Sequence, residues 1–257
     1  MTRSRVQFSP EAFLLIFTIS KTNIYNFSLV IDMQEKYIEN IIVRYIKDGD
    51  AVSIGSSKLG EAFLKKLAFA LEEKDIPIYA IEFVPTSIRN ATLASSLGIP
   101  IANINDREVD VAIEFVDQVD ENYNYIKRDS VSIVRDKMIA QSAGLMIVVA
   151  EEEKLVKKLK GKIPFEVSSF GWKRTLNQLD AFGKARIRTQ QNGFPYRTES
   201  GHYLIDVDVD DVFSYDDLEF ESKAIPGVLE IGLFVGYADK IILHGKKIQL
   251  MSRMEGE

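Results

Sequence analysis

The chain has 257 residues, 46% hydrophobic and 27% charged, with a formal net charge of −6, enough for one large domain or a large one carrying a small one. The acidic balance gives no electrostatic case for nucleic-acid binding, which leaves a clustered basic footprint. Absence of cysteine excludes disulfides, thiolate zinc sites and a cysteine nucleophile, and two histidines far apart, His202 and His244, argue against a histidine-built metal site.

Residues 1–32 begin with two arginines and carry a short apolar run, Ala12 to Ile19. That run is too short to span a bilayer, and no convincing cleavage site follows it, so no membrane partner is expected. Met33 opens a clean amphipathic pattern. We therefore expect Met33 to be the natural start and residues 1–32 to be an upstream or loose extension. Ile38, Ile41, Ile42 and Tyr45 predict a helix over 34–47, ended by Lys47-Asp48-Gly49. Ala51 to Ile54 is a short buried strand, and Gly55-Ser56-Ser57 turns the chain into a helix marked by Leu59, Phe63, Leu67 and Leu71. Ile78 to Val84 reads as a second strand, and Pro85-Thr86-Ser87 caps a helix through Leu97. Ile99 to Ile104 and Val109 to Val116 are further strand candidates.

Val109 to Val116 runs straight into acids: Glu114, Asp117, Asp120 and Glu121. Lys127 follows ten residues after Asp117, and Asp136 nine residues after that. A strand end that delivers carboxylates and a lysine to one place is the usual layout of an α/β active site, and these are the parts of general acid/base chemistry. Val131 to Ala143 reads as a helix and Leu145 to Ala150 as a wholly apolar strand. Strands alternating with helices at this interval predict parallel βαβ units in a covered sheet.

The pattern changes after Pro164. A helix around Trp172 to Phe182, a strand at Ala185 to Thr189, and the loop Gln190-Gln191-Asn192-Gly193 come first. An alternating strand at Tyr203 to Asp208, a helix at Leu218 to Ala224 and a strand at Val228 to Phe234 then follow. This reads as a small α+β layer inserted late in the sheet. Ile241 to Leu243 and Ile248 to Met251 return as a final hairpin.

From about Met33 onward, an ordered set of motifs resembles the type A ribose-5-phosphate isomerases. Lys47-Asp48-Gly49-Asp50-Ala51-Val52-Ser53-Ile54-Gly55 is similar to the family's K-D-G-x-x-V-G-L-G. Val84-Pro85-Thr86-Ser87 with Ser96-Leu97-Gly98-Ile99-Pro100 is similar to its V-P-T-S…S-L-G-I-P. Lys137-Met138-Ile139, Pro164-Phe165-Glu166-Val167, Gly171-Trp172-Lys173, Ile225-Pro226-Gly227-Val228 and Gly232-Leu233-Phe234…Ala238-Asp239-Lys240 complete the set. The resemblance implies an α/β fold: a Rossmann-like parallel-sheet domain (33–165 plus 239–257) with a smaller inserted ferredoxin-like α+β domain (166–238). It implies a cytoplasmic homodimer or homotetramer acting on a phosphorylated pentose. The reaction would be an aldose–ketose isomerisation through an enediol, with neither metal nor organic cofactor.

Carried over residue by residue, the family's D-G-A-D-E becomes Glu114-Phe115-Val116-Asp117-Gln118, so Glu114 and Asp117 are catalytic-site carboxylates. The K-G-G/R-G loop becomes Lys127-Arg128-Asp129-Ser130, keeping the lysine and losing the glycines. The base of R-E-K becomes Asp136, one methylene shorter. The phosphate turn G-T-G-S-T becomes Gly55-Ser56-Ser57-Lys58-Leu59, in which Ser56, Ser57 and Lys58 would bind phosphate. Thr86 and Ser87 stand as substrate-binding candidates that could equally be helix caps. A catalytically weakened relative that binds a sugar phosphate as a sensor or regulatory subunit is the alternative reading.

Overall fold

The computed structural model describes residue 38, residues 41–210, residue 212 and residues 214–253; the expectations for Met33 and residues 1–32 lie outside these. Ile38, Ile41 and Ile42 are helical, and a 3-10 turn, Val43–Tyr45, follows within the expected first helix. The first strands are β1 (Ala51–Ile54), β2 (Glu82–Phe83), β3 (Val109–Phe115), β4 (Gln118–Val119), β5 (Tyr125–Ile126) and β6 (Ala143–Glu151). Then come β7 (Gly161–Val167), β8 (Lys184–Ile187), β9 (Tyr203–Val209), β10 (Val228–Ile231), β11 (Leu233–Phe234), β12 (Lys240–His244) and β13 (Gln249–Ser252). The α-helices are α1 (Lys58–Glu72), α2 (Ile88–Ser96), α3 (Ile133–Ser142), α4 (Trp172–Leu179) and α5 (Tyr215–Lys223).

One sheet has the order β13-β12-β6-β3-β1-β2 and is parallel throughout except for the closing β12–β13 hairpin. Its strands are apolar on both sides because both sides are covered. Ile113, Ile147, Val149 and Ile242 pack with Phe63, Leu67 and Leu71 of α1 and Ala94 of α2. Ala112, Met146, Val148 and Ile241 pack with Ile139 and Ala140 of α3, Tyr125 and Phe234. Fully burying a Val, Leu, Ile, Phe or Met side chain contributes about 1.5–3 kcal/mol. A four-stranded antiparallel sheet, β10-β7-β9-β8, carries α4 and α5, and a three-stranded one, β11-β5-β4, joins the two. The core of the four-stranded layer is Phe165, Leu179, Ile205, Val207, Leu218 and Ile231, with Trp172 packed against it and edge-on to Tyr203.

Some expected elements change shape. The segment from Ile78 opens as a 3-10 turn, Ile78–Ala80, with Pro77 before it, and only Glu82–Phe83 pair as a strand. Ile99 to Ile104 contributes a single bridge, Ile101 to Phe83, because so short a β2 offers little edge to pair with. Val228 to Phe234 is two strands in two sheets, divided at Gly232. A Cβ there would lie 2.7 Å from the Lys127 carbonyl oxygen and 2.6 Å from the Pro164 ring. β7 was not expected at all, since Pro164 interrupts its pattern. Gly232 instead donates to the Pro164 carbonyl (2.7 Å) and accepts from the Lys127 N–H (3.0 Å), tying the Lys127 backbone to this seam.

Candidate active site

β1 lies between β2 and β3, so the chain leaves β1 and β3 on opposite sides and opens a crevice at their carboxyl ends, where α/β sheets bind ligands. The residues there are Gly55 and Glu114, with the Gly55 N–H bonded to the Ile113 carbonyl (2.9 Å). Gly55 has an ordinary negative φ, so space dictates the residue: a Cβ would overlap the Glu114 carboxylate. Gly60, in the first turn of α1, is likewise pressed against the Gly55 carbonyl. Strand alternation then separates two roles. Phe115, at a position the family gives to glycine, packs on Phe63 (5.5 Å between ring centroids), while Glu114 faces the other side.

Three ionisable groups meet on that side. Lys127 Nζ lies 2.7 Å from Glu114 Oε2 and 2.8 Å from Asp136 Oδ2. Relative exposures are 1% for Lys127, 2% for Asp136 and 4% for Glu114, so bulk water is excluded. Asp136 arrives in the first turn of α3, where the helix dipole favours a negative charge. Its neighbours turn elsewhere: Arg135 pairs with Glu199 (2.7 Å), and Lys137 pairs with Glu219 (3.0 Å) and donates to the Leu233 carbonyl. Ser130 donates to Asp136 Oδ2 at 2.5 Å. Asp136 Oδ1 is buried and has no hydrogen-bond partner.

Burial pushes the Glu114 carboxyl up to about 7, against the pull of Lys127 and with a further push from Asp136. Burial also raises Asp136, with Lys127 and Ser130 pulling it back. Lys127 is disfavoured as a cation by burial, but Asp136 and Glu114 outweigh this and raise its pKa. Two carboxyls and one ammonium thus share a site closed to bulk water, and Glu114 is the carboxyl raised to about 7. For stability, a Glu114 titrating near 7 when folded and near 4.5 when unfolded binds more protons in the native state. Its effect is lost stability as pH rises from about 4.5 to about 7. Glu114→Gln is expected to flatten that fall relative to wild type in thermal melts across the window; parallel curves would show that Glu114 titrates normally.

The other expected residues sit around this cluster. Asp117 is half-buried and accepts from the Arg128 N–H (2.6 Å), holding the loop that follows Lys127. Ser56 is buried and accepts from the Val131 N–H (3.3 Å), linking the β1 turn to the same loop. Ser57 caps α1 through the Gly60 N–H, with φ −73°, so no glycine is required where the family has its second one. Lys58 is exposed and lines an open groove of about 540 Å³ with Glu61, Lys65 and Arg89, apart from the Lys127 cluster. Thr86 donates to the Ile54 carbonyl (3.1 Å), and Ser87 caps α2 through the Asn90 N–H. Both hydroxyls therefore serve the backbone here. Of the remaining acids, Asp120 organises the β4–β5 turn through Asn122 and Asn124, and Glu121 is exposed. Among the described residues no group of three His, Cys, Asp or Glu side chains is arranged to hold a metal ion.

Several contributors escaped the sequence reading. Ser130 was read only as a lost glycine. Asn90 reaches back to the Ile54 and Gly55 carbonyls. Fully buried Glu166 accepts from the Val134 N–H (2.9 Å), Ser132 and Thr198, and contacts His202 Nδ1 (3.0 Å), fixing the start of α3. The P-x-E-V motif was its only signal.

The family model for ribose 5-phosphate isomerase A (phosphoriboisomerase A) matches residues 82–247. Ribose-5-phosphate isomerase A of Listeria innocua is 35% identical over 83% of this chain and 94% of its own. The Pyrococcus abyssi enzyme of the same name is 30% identical over 84% and 96%. A solved D-ribose-5-phosphate isomerase in complex with phospho-erythronic acid is 32% identical, with a TM-score of 0.80, covering 86% of this chain and 99% of that one. Ribose 5-phosphate isomerase A of Methanocaldococcus jannaschii is 26% identical, with a TM-score of 0.78, covering 86% and 99%.

Proposed function

We infer residue roles from one premise: the chain belongs to the ribose 5-phosphate isomerase A family, and its reaction is the interconversion of ribose 5-phosphate and ribulose 5-phosphate. The observation that carries the assignment is Lys127 bridging Glu114 and Asp136 in a dry cluster at the switch point of the sheet. Asp136 is the base. It takes the proton from C2 of the open-chain aldose; the C–H electron pair becomes the C1–C2 double bond and the carbonyl pair moves to O1. Protonation of O1 gives the enediol. Loss of the O2 proton and return of a proton from Asp136 to C1 then give the ketose.

Charge builds on O1 and O2 in turn, and the Lys127 ammonium is the cation placed to stabilise it. Glu114, with a carboxyl titrating near neutrality, can give a proton to O1 and take one from O2. Asp117 orients a sugar hydroxyl beside the loop that it anchors. The phosphate sits at the start of α1, a helix N-terminus whose first N–H groups lack intrahelical partners, with Ser56, Ser57 and Lys58 around it. Thr86 and Ser87 support this turn from below through Ile54 and α2. A phosphorylated sugar acid such as phospho-erythronic acid, bound by the related enzyme, is expected to occupy the same site.

The sensor reading is not favoured, because the relatives bear the names of isomerases. No helix among the described residues is long and apolar enough to cross a membrane. The family resemblance supports a cytoplasmic homodimer or homotetramer. Turnover of ribose 5-phosphate by the purified full chain tests the reading, and an inert, folded protein would overturn it.

A further inference from the structure

Ser130 has no assigned role, yet its hydroxyl makes the shortest contact in the cluster. The Ser132 N–H donates to Ser130 Oγ at 3.0 Å. With that lone pair taken, the Ser130 hydrogen points at Asp136 Oδ2, 2.5 Å away. The same oxygen receives Lys127 Nζ at 2.8 Å. Oδ2 therefore holds the Ser130 hydrogen bond and the Lys127 ion-pair contact, Oδ1 has no hydrogen-bond partner, and both residues are buried. An unpartnered buried carboxylate oxygen is costly, and Oδ1 is the one oxygen of Asp136 that neither Ser130 nor Lys127 holds.

The spacing adds a second point. The motif resemblance gives glycine at position 130 and glutamate at position 136, where this chain has serine and aspartate. Glycine cannot donate from a side chain, and glutamate reaches one methylene further. We propose that Ser130 is a positioning residue for Asp136: the hydroxyl clamps Oδ2 of the shortened carboxylate and leaves Oδ1 as the oxygen that carries the substrate proton. The two substitutions form one unit. This inference rests on the reading of Asp136 as the base.

A double-mutant cycle on ribose 5-phosphate turnover tests it, using wild type, Ser130→Gly, Asp136→Glu and the double variant, with Ser130→Thr as the hydroxyl-retaining control. Each single variant is expected to lose kcat by about 10²-fold, the usual effect of a misplacement of about 1 Å, with KM little changed. The double variant is expected to turn over faster than either single one, and Ser130→Thr to stay near wild type. Ser130→Gly should also move the acid limb of kcat/KM to higher pH, because a hydrogen bond to the charged base is lost. The other charged groups facing Asp136, namely Lys127, Glu114 and Glu166, stay in place in that variant. A purely structural serine would lower the melting temperature without the limb shift or the rescue. Additive losses in an active wild-type background would overturn this inference alone. A wild-type protein without turnover would overturn the reading of the site, and this inference with it.

Discussion

Asp136→Asn is expected to lower kcat for ribose 5-phosphate by about 10²–10⁴-fold, the usual contribution of a positioned acid/base group, while KM changes little. The amide keeps the shape of the carboxylate and can still accept from Ser130 or Lys127, so the substrate finds much the same surface. It cannot take a proton from C2 at any accessible pH. Loss in kcat with KM preserved is the mark of an interaction made only in the transition state. Steady-state kinetics beside a thermal melt would check it. A variant that loses KM and keeps kcat would place Asp136 among the substrate-holding groups instead.

Lys127→Met has the largest expected effect on the fold. The substitution leaves Glu114 and Asp136 facing one another, both nearly inaccessible to water, with no cation between them. Removing one partner from a buried ion pair costs about 3–5 kcal/mol, and the loss should depend on pH. Both carboxylates are already raised by burial, and Lys127 is what pulls them down; without it their folded pKa values rise further. The native state of the variant then binds more protons than the unfolded state, so stability is lost as pH rises and recovered on acidification. Urea denaturation at mildly acidic and mildly alkaline pH would show a gap to wild type that narrows at the acidic end. A gap of constant width would mean that lost packing, not charge, is responsible. Turnover should fall as well, since Lys127 is the group we propose to stabilise charge on O1 and O2.

Much of this arrangement was legible in the chain. β1, β3, α1 and α3 follow from apolar period and caps, and the acid-rich end of β3 with Lys127 and Asp136 pointed to one place. The Gly55 turn was legible as a turn, but its tight approach to Glu114 was not, because that depends on the register of β1 against β3. β7 was hidden by Pro164, and β4 and β5 are too short to show a period. The glycines lost after Lys127 would have permitted positive φ, which no pattern in the chain shows to be needed or not. Arg128, Asp129 and Ser130 all keep negative φ, and Arg128 is instead held through its side chain by the Lys160 and Lys162 carbonyls. Glu166 and Ser130 act through tertiary contacts that no local pattern announces.

The central claim is that Asp136 moves a proton from C2 to C1 through an enediol. The most direct test is isomerisation of ribose 5-phosphate by the full chain in D2O, with C1 of the product read by NMR. Over repeated forward and reverse turnovers wild type is expected to bring solvent deuterium into C1 of ribulose 5-phosphate as the proton held on Asp136 exchanges, and Asp136→Asn to give almost no product. A wild-type protein without turnover, or an Asp136→Asn protein that turns over like wild type, would contradict the account.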